Sequence, residues 1–227
     1  MTMQNLWSNI ILFFQKINKR FFEGRKNPFL MLFHPVETME DLKYKKNGSP
    51  IYATLLLLAL CVSAIIKAVA TGFMYSTARI EDFNILVVIA TSGFLVLLFV
   101  VGNWALCTLF SGEGRIKDVY IMTCYNLTPL IVYNIIGTIF SNALVPSEYV
   151  FVTIAGTCAT IWFVCLMIYG AMVIHNYTFW GTVLNLVASL VAMAIIFFLA
   201  FLFIVLMQQL YVFVLTLYTE CRMRLYY

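Results

Sequence analysis

Five long apolar segments, each almost free of charge, leave few folds open to this chain. The hydrocarbon core of a bilayer is about 30 Å thick, and a helix crosses it with about 20 residues at about 1.5 Å each. Every segment reaches that length. Backbone facing lipid must satisfy its own hydrogen bonds, and none of the segments shows the short alternating pattern of barrel strands, so we predict helices. The predicted spans are 51–75, 83–110, 119–141, 150–174 and 181–207.

The composition points to lipid as the solvent. Hydrophobic residues make up 63% of the chain and charged residues only 11%, whereas soluble domains average roughly 45–50% and about 25%. So few charges cannot cover the surface of a compact soluble protein. We therefore predict an all-α, polytopic membrane protein in which a bundle of about five transmembrane helices occupies 51–207. An N-terminal segment, 1–50, and a C-terminal segment, 208–227, flank this domain.

The distribution of charge predicts the orientation of the bundle. Residues 1–50 contain eight Lys and Arg against four Asp and Glu, and the rest of the chain has six of each sign. Basic flanks of transmembrane helices stay on the cytoplasmic side. We therefore expect the N-terminus on the cytoplasmic side of the cell membrane and the C-terminus on its outer side. The basic residues alternate with Phe and Leu beside the spans, which indicates lipid headgroups rather than nucleic acid.

The first predicted helix lies along the membrane. Residues 4–22 carry apolar side chains in a stripe of helical period, with polar side chains opposite. That pattern is typical of a helix in the membrane interface, and a helix that docks on a partner subunit remains an alternative because the same face serves both purposes. The residues best placed for either contact are Trp7, Phe14, Lys16, Lys19 and Arg20.

A second short helix is predicted from Pro35 to about Lys46, since proline suits a first helical turn and the charges follow the helix dipole. His34, Glu37 and Glu40 could form half of a metal site at its start. Further ligands are lacking, so we favour capping and interface contacts there.

At the other end of the chain, Gln208-Gln209 interrupts the apolar run. The remainder is too short to cross the membrane again. We expect 208–225 to form a separate amphipathic helix on the outer face, with a single very long helix as the alternative.

Polar residues inside the spans are candidates for function. Lys67 lies well along the first span, where it could snorkel outward, pair with Glu81 or Asp82, or mark a path for ions. A stripe in the third span suits hydrogen bonds between helices, with a polar pathway as the alternative. No Asp or Glu lies deep in any span, which argues against a carrier of protons or cations. The stripe consists of Asn126, Tyr133, Asn134, Gly137 and Ser141.

The sequence lacks recognisable catalytic or cofactor motifs. Its six cysteines form no CxxC pair and have no histidine at ligand spacing, and His175 is predicted to be a lone loop histidine without a partner. There is no phosphate-binding glycine loop and no triad or paired-carboxylate pattern. We therefore expect no enzyme activity, no cofactor and no resident metal.

A glycine-rich turn and a proline element connect the second and third spans. Ser111-Gly112-Glu113-Gly114-Arg115 is followed by Tyr125-Asn126-Leu127-Thr128-Pro129. Together with His34-Pro35 and the five-span layout, these elements resemble the Yip1 family, over about 30–220. That family pairs a glycine-rich loop with Gly-Tyr-x-x-x-Pro, and here Cys124 replaces the glycine. The resemblance implies that Gly112, Gly114, Tyr125 and Pro129 shape a turn and a kink rather than act in catalysis.

The resemblance also limits the expected function. Eukaryotic members are trafficking proteins that engage small GTPases, whereas this short chain looks like the bacterial Yip1-like proteins, some of which resemble accessory components of sugar ABC importers. The leading hypothesis is therefore a non-enzymatic accessory or scaffold subunit of a membrane complex, with an ABC-type sugar importer as the candidate complex. Its expected partners are the bilayer and integral membrane subunits such as a transporter permease. The alternatives are a small transporter or channel using Lys67, Asn126 and Asn134, and a lipid-interacting, membrane-shaping protein.

Overall fold

All regular structure in the described part of the chain is helical. The computed structural model describes residues 30–45, 48–72, 84–109, 112–145 and 148–226. The predicted interfacial helix over 4–22, with its five candidate contact residues, lies outside these ranges, as do Glu81 and Asp82. The helices, in chain order, are α1 (Leu30–Phe33), α2 (Pro35–Tyr44), α3 (Pro50–Ala70), α4 (Ile85–Ile89), α5 (Leu95–Leu109), α6 (Ile116–Asn126), α7 (Thr128–Ala143), α8 (Tyr149–His175) and α9 (Phe179–Tyr226).

Within the described ranges, five helical stretches are long and apolar enough to cross a bilayer, which confirms the predicted fold class. Helices α4 and α5 form one of them, joined by a π-helical turn at Ala90–Phe94, and α6 and α7 form another. The short helix α2 also begins at Pro35, as the sequence predicts. The five stretches are Pro50–Ala70, Ile85–Thr108, Ile116–Ala143, Tyr149–His175 and Phe179–Arg224.

The last helix differs from the leading prediction. We expected a break at Gln208-Gln209, but α9 runs without interruption from Phe179 to Tyr226 and is 48 residues long. The long-helix alternative is therefore the one observed. Glutamine is a good helix former, so two of them lower the local hydropathy without weakening the helical backbone.

The first span is shorter than predicted, because α3 ends at Ala70 and Thr71 is extended. In the second span, the hydroxyls of Thr91 and Ser92 bond to the backbone oxygens of Val87 and Val88, 2.8 Å and 2.6 Å away. Side chains that occupy carbonyls four residues earlier disturb the regular helix, and the π-helical turn lies at this point.

Helix α6 lies at the centre of the bundle. Seven of its residues are buried, and it contacts α2, α3, α5 and α8. The core around it includes Met39, Leu56 and Met167. Leu127 separates α6 from α7, and Pro129 lies in the first turn of α7, so the third span consists of two helical segments.

Successive spans run in opposite directions and give the bundle two distinct ends. At one end, which we call the loop end, segments 112–115 and 176–178 lie together beside α2, through contacts of Glu113 with Lys43 and Asn176. At the far end, the end of α3 meets the end of α7, where the backbone N–H of Gly72 donates to Ser141. The charge pattern predicts that the loop end is cytoplasmic.

Candidate functional site

Polar side chains from three helices are buried together at the loop end. This loop-end cluster consists of Asn103 and Cys107 on α5, His175 at the end of α8, and Asn185 and Ser189 on α9, and each is at most 3% exposed. The Nε2 atom of His175 lies 3.0 Å from Asn103 Oδ1 and 3.2 Å from Cys107 Sγ. Asn103 lies four residues before Cys107, so both are on one face of α5. Asn185 lies four residues before Ser189, so both are on one face of α9.

The hydrogen bonds of this cluster determine where the proton of the His175 ring lies. The hydroxyl of Ser189 donates to the backbone oxygen of Asn185 at 2.7 Å, so its oxygen accepts from the Nδ2 of Asn103 at 3.0 Å. The Oδ1 of Asn103 therefore faces His175 and can only accept. It follows that the neutral ring carries its proton on Nε2, and Nδ1 keeps a free lone pair.

The cluster contains a thiol, an imidazole and an amide, yet its geometry is unlike that of a nucleophilic triad. In a triad the orienting group binds one ring nitrogen and the nucleophile binds the other. Here Asn103 and Cys107 both approach Nε2. The arrangement ties the second, fourth and fifth spans together through buried hydrogen bonds.

Two glycines allow the loop 112–115 to close over this cluster. A Cβ atom at Gly114 would lie 2.4 Å from Cε1 and 2.5 Å from Nδ1 of His175. One at Gly112 would lie 2.5 Å from the hydroxyl of Tyr177. Tyr177 stacks on His175 with ring centroids 5.5 Å apart, and burial, with Cys107 as a second cause, raises its pKa. Glycine is thus the residue that lets backbone approach both rings.

A charged group joins the loop end to α2. The Nζ of Lys43 lies 3.7 Å from Oε2 of Glu113, and the same carboxylate accepts from Asn176 Nδ2 at 2.8 Å. Asn176 has a φ of 58°, a left-handed conformation that asparagine tolerates better than most residues. Helix α2 and the two loops are thereby held by one carboxylate.

The comparison with known families bears on the same loop and kink. The family model described as the Yip1 domain matches residues 29–218. This chain belongs to the Yip1 domain family. No significant match was found among curated proteins or among solved structures.

The glycines and the kink that suggested the Yip1 domain lie in different surroundings. Gly112 and Gly114 cover the loop-end cluster, whereas Tyr125 is buried in the core and bonds to the backbone of Ser49, just before α3. Cys124, which stands where the motif has glycine, is fully buried next to it. The motif positions therefore connect the loop end, the central helix and the start of the first span.

The polar stripe of the third span bonds to neighbouring helices of the Yip1 domain. Asn126 donates to the backbone oxygen of Leu166 at 3.2 Å. Lys67 donates to Asn134 Oδ1 at 3.3 Å, and Asn134 donates to Ser63 at 3.3 Å. The ammonium of Lys67 also lies 4.8 Å from the ring centroid of Tyr133, a cation–π distance. The contacts of Lys67 and Asn134 hold α3 against α7, and the bond of Asn126 joins α6 to α8.

The prediction for His175 was wrong. It is not a lone loop histidine but a buried residue bonded within the loop-end cluster. Sequence spacing could not show this, because Cys107 and His175 are 68 residues apart. The signal that was available is the recurrence of amides and hydroxyls at helical spacing in otherwise apolar spans: Asn103, Thr182, Asn185 and Ser189.

His34, considered from the sequence as half of a metal site, lies at the start of α2. His34 occupies the N-cap position of α2, where its backbone oxygen, and not its ring, accepts from Thr38. Within the described ranges, no three His, Cys, Asp or Glu side chains are grouped so that they could hold a metal ion.

Proposed function

We propose that this Yip1-family protein is a non-enzymatic accessory or scaffold subunit of a membrane complex. The observation that carries this proposal is the outer half of α9. From Phe197 to Arg224 nearly every side chain is exposed, although most of them are large and apolar. Lateral apolar surface of this extent suits an integral partner subunit.

The length of α9 supports a partner rather than lipid alone. Its predominantly apolar stretch from Phe179 to Tyr218, which includes Gln208-Gln209, would span about 60 Å, roughly twice the hydrocarbon core. A straight helix would need a tilt of about 60° to bury all of it, whereas spanning helices tilt by about 20° on average. The part that extends beyond the bilayer needs another apolar surface to cover it. A helix of a second integral subunit supplies one.

The complex we propose is a transporter, on the family resemblance alone. The absence of enzyme activity is part of the proposal, and it is supported by the way Asn103 and Cys107 share one nitrogen of His175.

We also propose a cell-membrane location with the loop end in the cytoplasm. Labelling of a cysteine introduced at Thr2 by an impermeant maleimide on intact cells would contradict that orientation.

Purification of the full chain from its native membrane in a mild detergent tests the docking proposal. We expect an integral partner at stoichiometric amounts. Replacing Leu210, Phe213 and Leu217, which share one face of α9, by alanine should reduce its recovery by about tenfold or more, since buried apolar anchors dominate interface energies.

The matched control is Ile154→Ala with Ile161→Ala on α8, two exposed apolar residues that lie on one helical face in the bundle. This variant should keep the partner. A chain recovered alone and monodisperse from native membranes would refute the docking proposal, as would equal loss of the partner in both variants. A partner that is no transporter subunit would refute only the choice of complex.

A further inference from the structure

Among the described residues, two buried polar atoms beside the glycine loop, residues 112–115, lack a hydrogen-bond partner. They are Nζ of Lys43 and Nδ1 of His175, and no side chain or backbone group in the described ranges bonds to either. Lys43 lies 3.7 Å from Glu113, within ion-pair range but beyond a hydrogen bond. His175 contacts Gly114, which directly follows Glu113 in the chain. Buried polar groups in native proteins are usually paired, so the pair of atoms points to a bound group.

The two atoms require opposite hydrogen-bonding partners. The ammonium of Lys43 is a donor with a positive charge, whereas Nδ1 of His175 is an acceptor, because Nε2 carries the proton. A ligand that satisfies both needs an anionic oxygen and a hydroxyl. One water molecule could bridge the atoms, but it would leave the charge of Lys43 balanced only by Glu113.

The start of α6 adds a third element at the same place. This helix of 11 residues begins at Ile116, immediately after the glycine loop, and Arg115 at its N-cap provides no side-chain cap. Uncapped amides and the positive end of the dipole favour an anion. Arg115 and Lys117 are exposed and add positive charge, while Asp118 in the first turn subtracts from it.

We propose that the loop end binds a phosphate group that retains one proton. Its anionic oxygens accept from Lys43 and from the first amides of α6, and its P–OH donates to Nδ1 of His175. A phosphate monoester titrates near pH 6, at about the value that keeps both forms available in the cell. Hydrogen phosphate and a monoester headgroup such as that of phosphatidic acid share this chemistry.

The carboxylate of Glu113 competes with the proposed ligand. It pairs with Lys43 and accepts from Asn176, and its side chain is 65% exposed, so it can rotate outward when phosphate enters. This gives two variants with opposite expected effects. Lys43→Met removes the binding charge, whereas Glu113→Gln removes the competing one.

Thermal unfolding of the full chain in a neutral detergent tests the site. At constant ionic strength near neutral pH, inorganic phosphate should raise the melting temperature in a saturable way. Sulfate carries no proton for Nδ1 and should bind at least about tenfold more weakly. We expect Lys43→Met to weaken phosphate binding about tenfold or more, and Glu113→Gln to strengthen it several-fold.

Lys45→Met is the matched control, because Lys45 carries the same charge on the same helix end but pairs with Asp41. It should bind phosphate as the unaltered chain does. Equal stabilisation by phosphate and sulfate, or equal loss in both lysine variants, would overturn the proposal. So would Glu113→Gln binding no more tightly than the unaltered chain.

Two further arms identify the source of the phosphate. Dioleoylphosphatidic acid in mixed micelles should stabilise the protein relative to dioleoylphosphatidylcholine, whose headgroup has no P–OH, if the ligand is a lipid. Stabilisation by inorganic phosphate alone assigns the site to a soluble phosphate. If neither dioleoylphosphatidic acid nor inorganic phosphate stabilised the protein, the proposed site would be refuted.

Discussion

Gly114→Ala is expected to destabilise the protein by about 2–3 kcal/mol, because it forces a methyl group into the ring of His175. The new Cβ would lie 2.4 Å from Cε1, and Ile174 is 3.0 Å away on the same side. The ring cannot move aside easily, since Nε2 is bound to Asn103 and lies against Cys107. The loop must therefore lift, which also separates Glu113 from Lys43.

The measurement is thermal unfolding in a mild detergent, where this loss corresponds to a melting temperature lower by about 5–10 °C. Gly112→Ala should cost less, because its shortest contact is with the hydroxyl at the end of the long Tyr177 side chain and the next, with Cβ of Cys107, is 3.1 Å. Gly181→Ala is the control: its nearest neighbour is Thr178 Oγ1 at 3.2 Å, and alanine favours a helix. If Gly114→Ala melted like Gly181→Ala, the close packing of the loop on His175 would be wrong.

Asn103→Leu is expected to destabilise the bundle by about 2–4 kcal/mol, since it removes two buried hydrogen bonds of the loop-end cluster and leaves the His175 ring without its amide acceptor. The Nε2–H of His175 would lose its acceptor, and Ser189 would lose its donor. Leucine has a similar size, so the effect reports the hydrogen bonds more than the packing. Asn142→Leu at the exposed far end is the matched control, where the bond to the backbone of Ala70 is accessible to water.

A second readout separates local opening from global instability. Cys107 is 1% exposed and should be unreactive toward maleimide in the unaltered protein. In Asn103→Leu its labelling should accelerate about tenfold or more under conditions where the bundle remains folded, because the cluster opens locally. If Asn103→Leu matched Asn142→Leu in both stability and Cys107 protection, the hydrogen bonds of the cluster would not stabilise the bundle.

The sequence predicted those features of the fold that depend on local composition. Apolar length defined the five spans, and Pro35 together with the order of charges defined α2. Pro129 lies in the first turn of α7, directly after the interruption at Leu127. Each of these signals lies within about 25 residues of chain, so no knowledge of tertiary contacts was needed.

The loop-end cluster could not be predicted because its members come from distant parts of the chain. Asn103 meets Ser189 across 86 residues, and Cys107 meets His175 across 68. Each residue alone has an ordinary explanation within an apolar helix. The role of Gly114 was equally hidden, since a turn requires a glycine as readily as a close approach to a ring does. Only the arrangement of the helices distinguishes the two.

The course of α9 was hidden for a different reason. Hydropathy falls at Gln208-Gln209. Hydropathy indicates whether a segment prefers water or lipid, but it does not indicate whether the helix continues through that segment. The uncovered apolar surface beyond this point is a feature of the folded chain, and it is the basis of the proposed docking function.

Zero-length cross-linking of the unaltered full chain tests the closed loop end most directly. A carbodiimide joins a lysine to a carboxylate only when the two are in contact, and peptide mass spectrometry identifies the bond. We predict a link between Lys43 and Glu113, whose charged atoms are 3.7 Å apart, beside the local link between Lys45 and Asp41. Formation of the Lys45–Asp41 link without the Lys43–Glu113 link would contradict the account, because α2 and the glycine loop would then not meet.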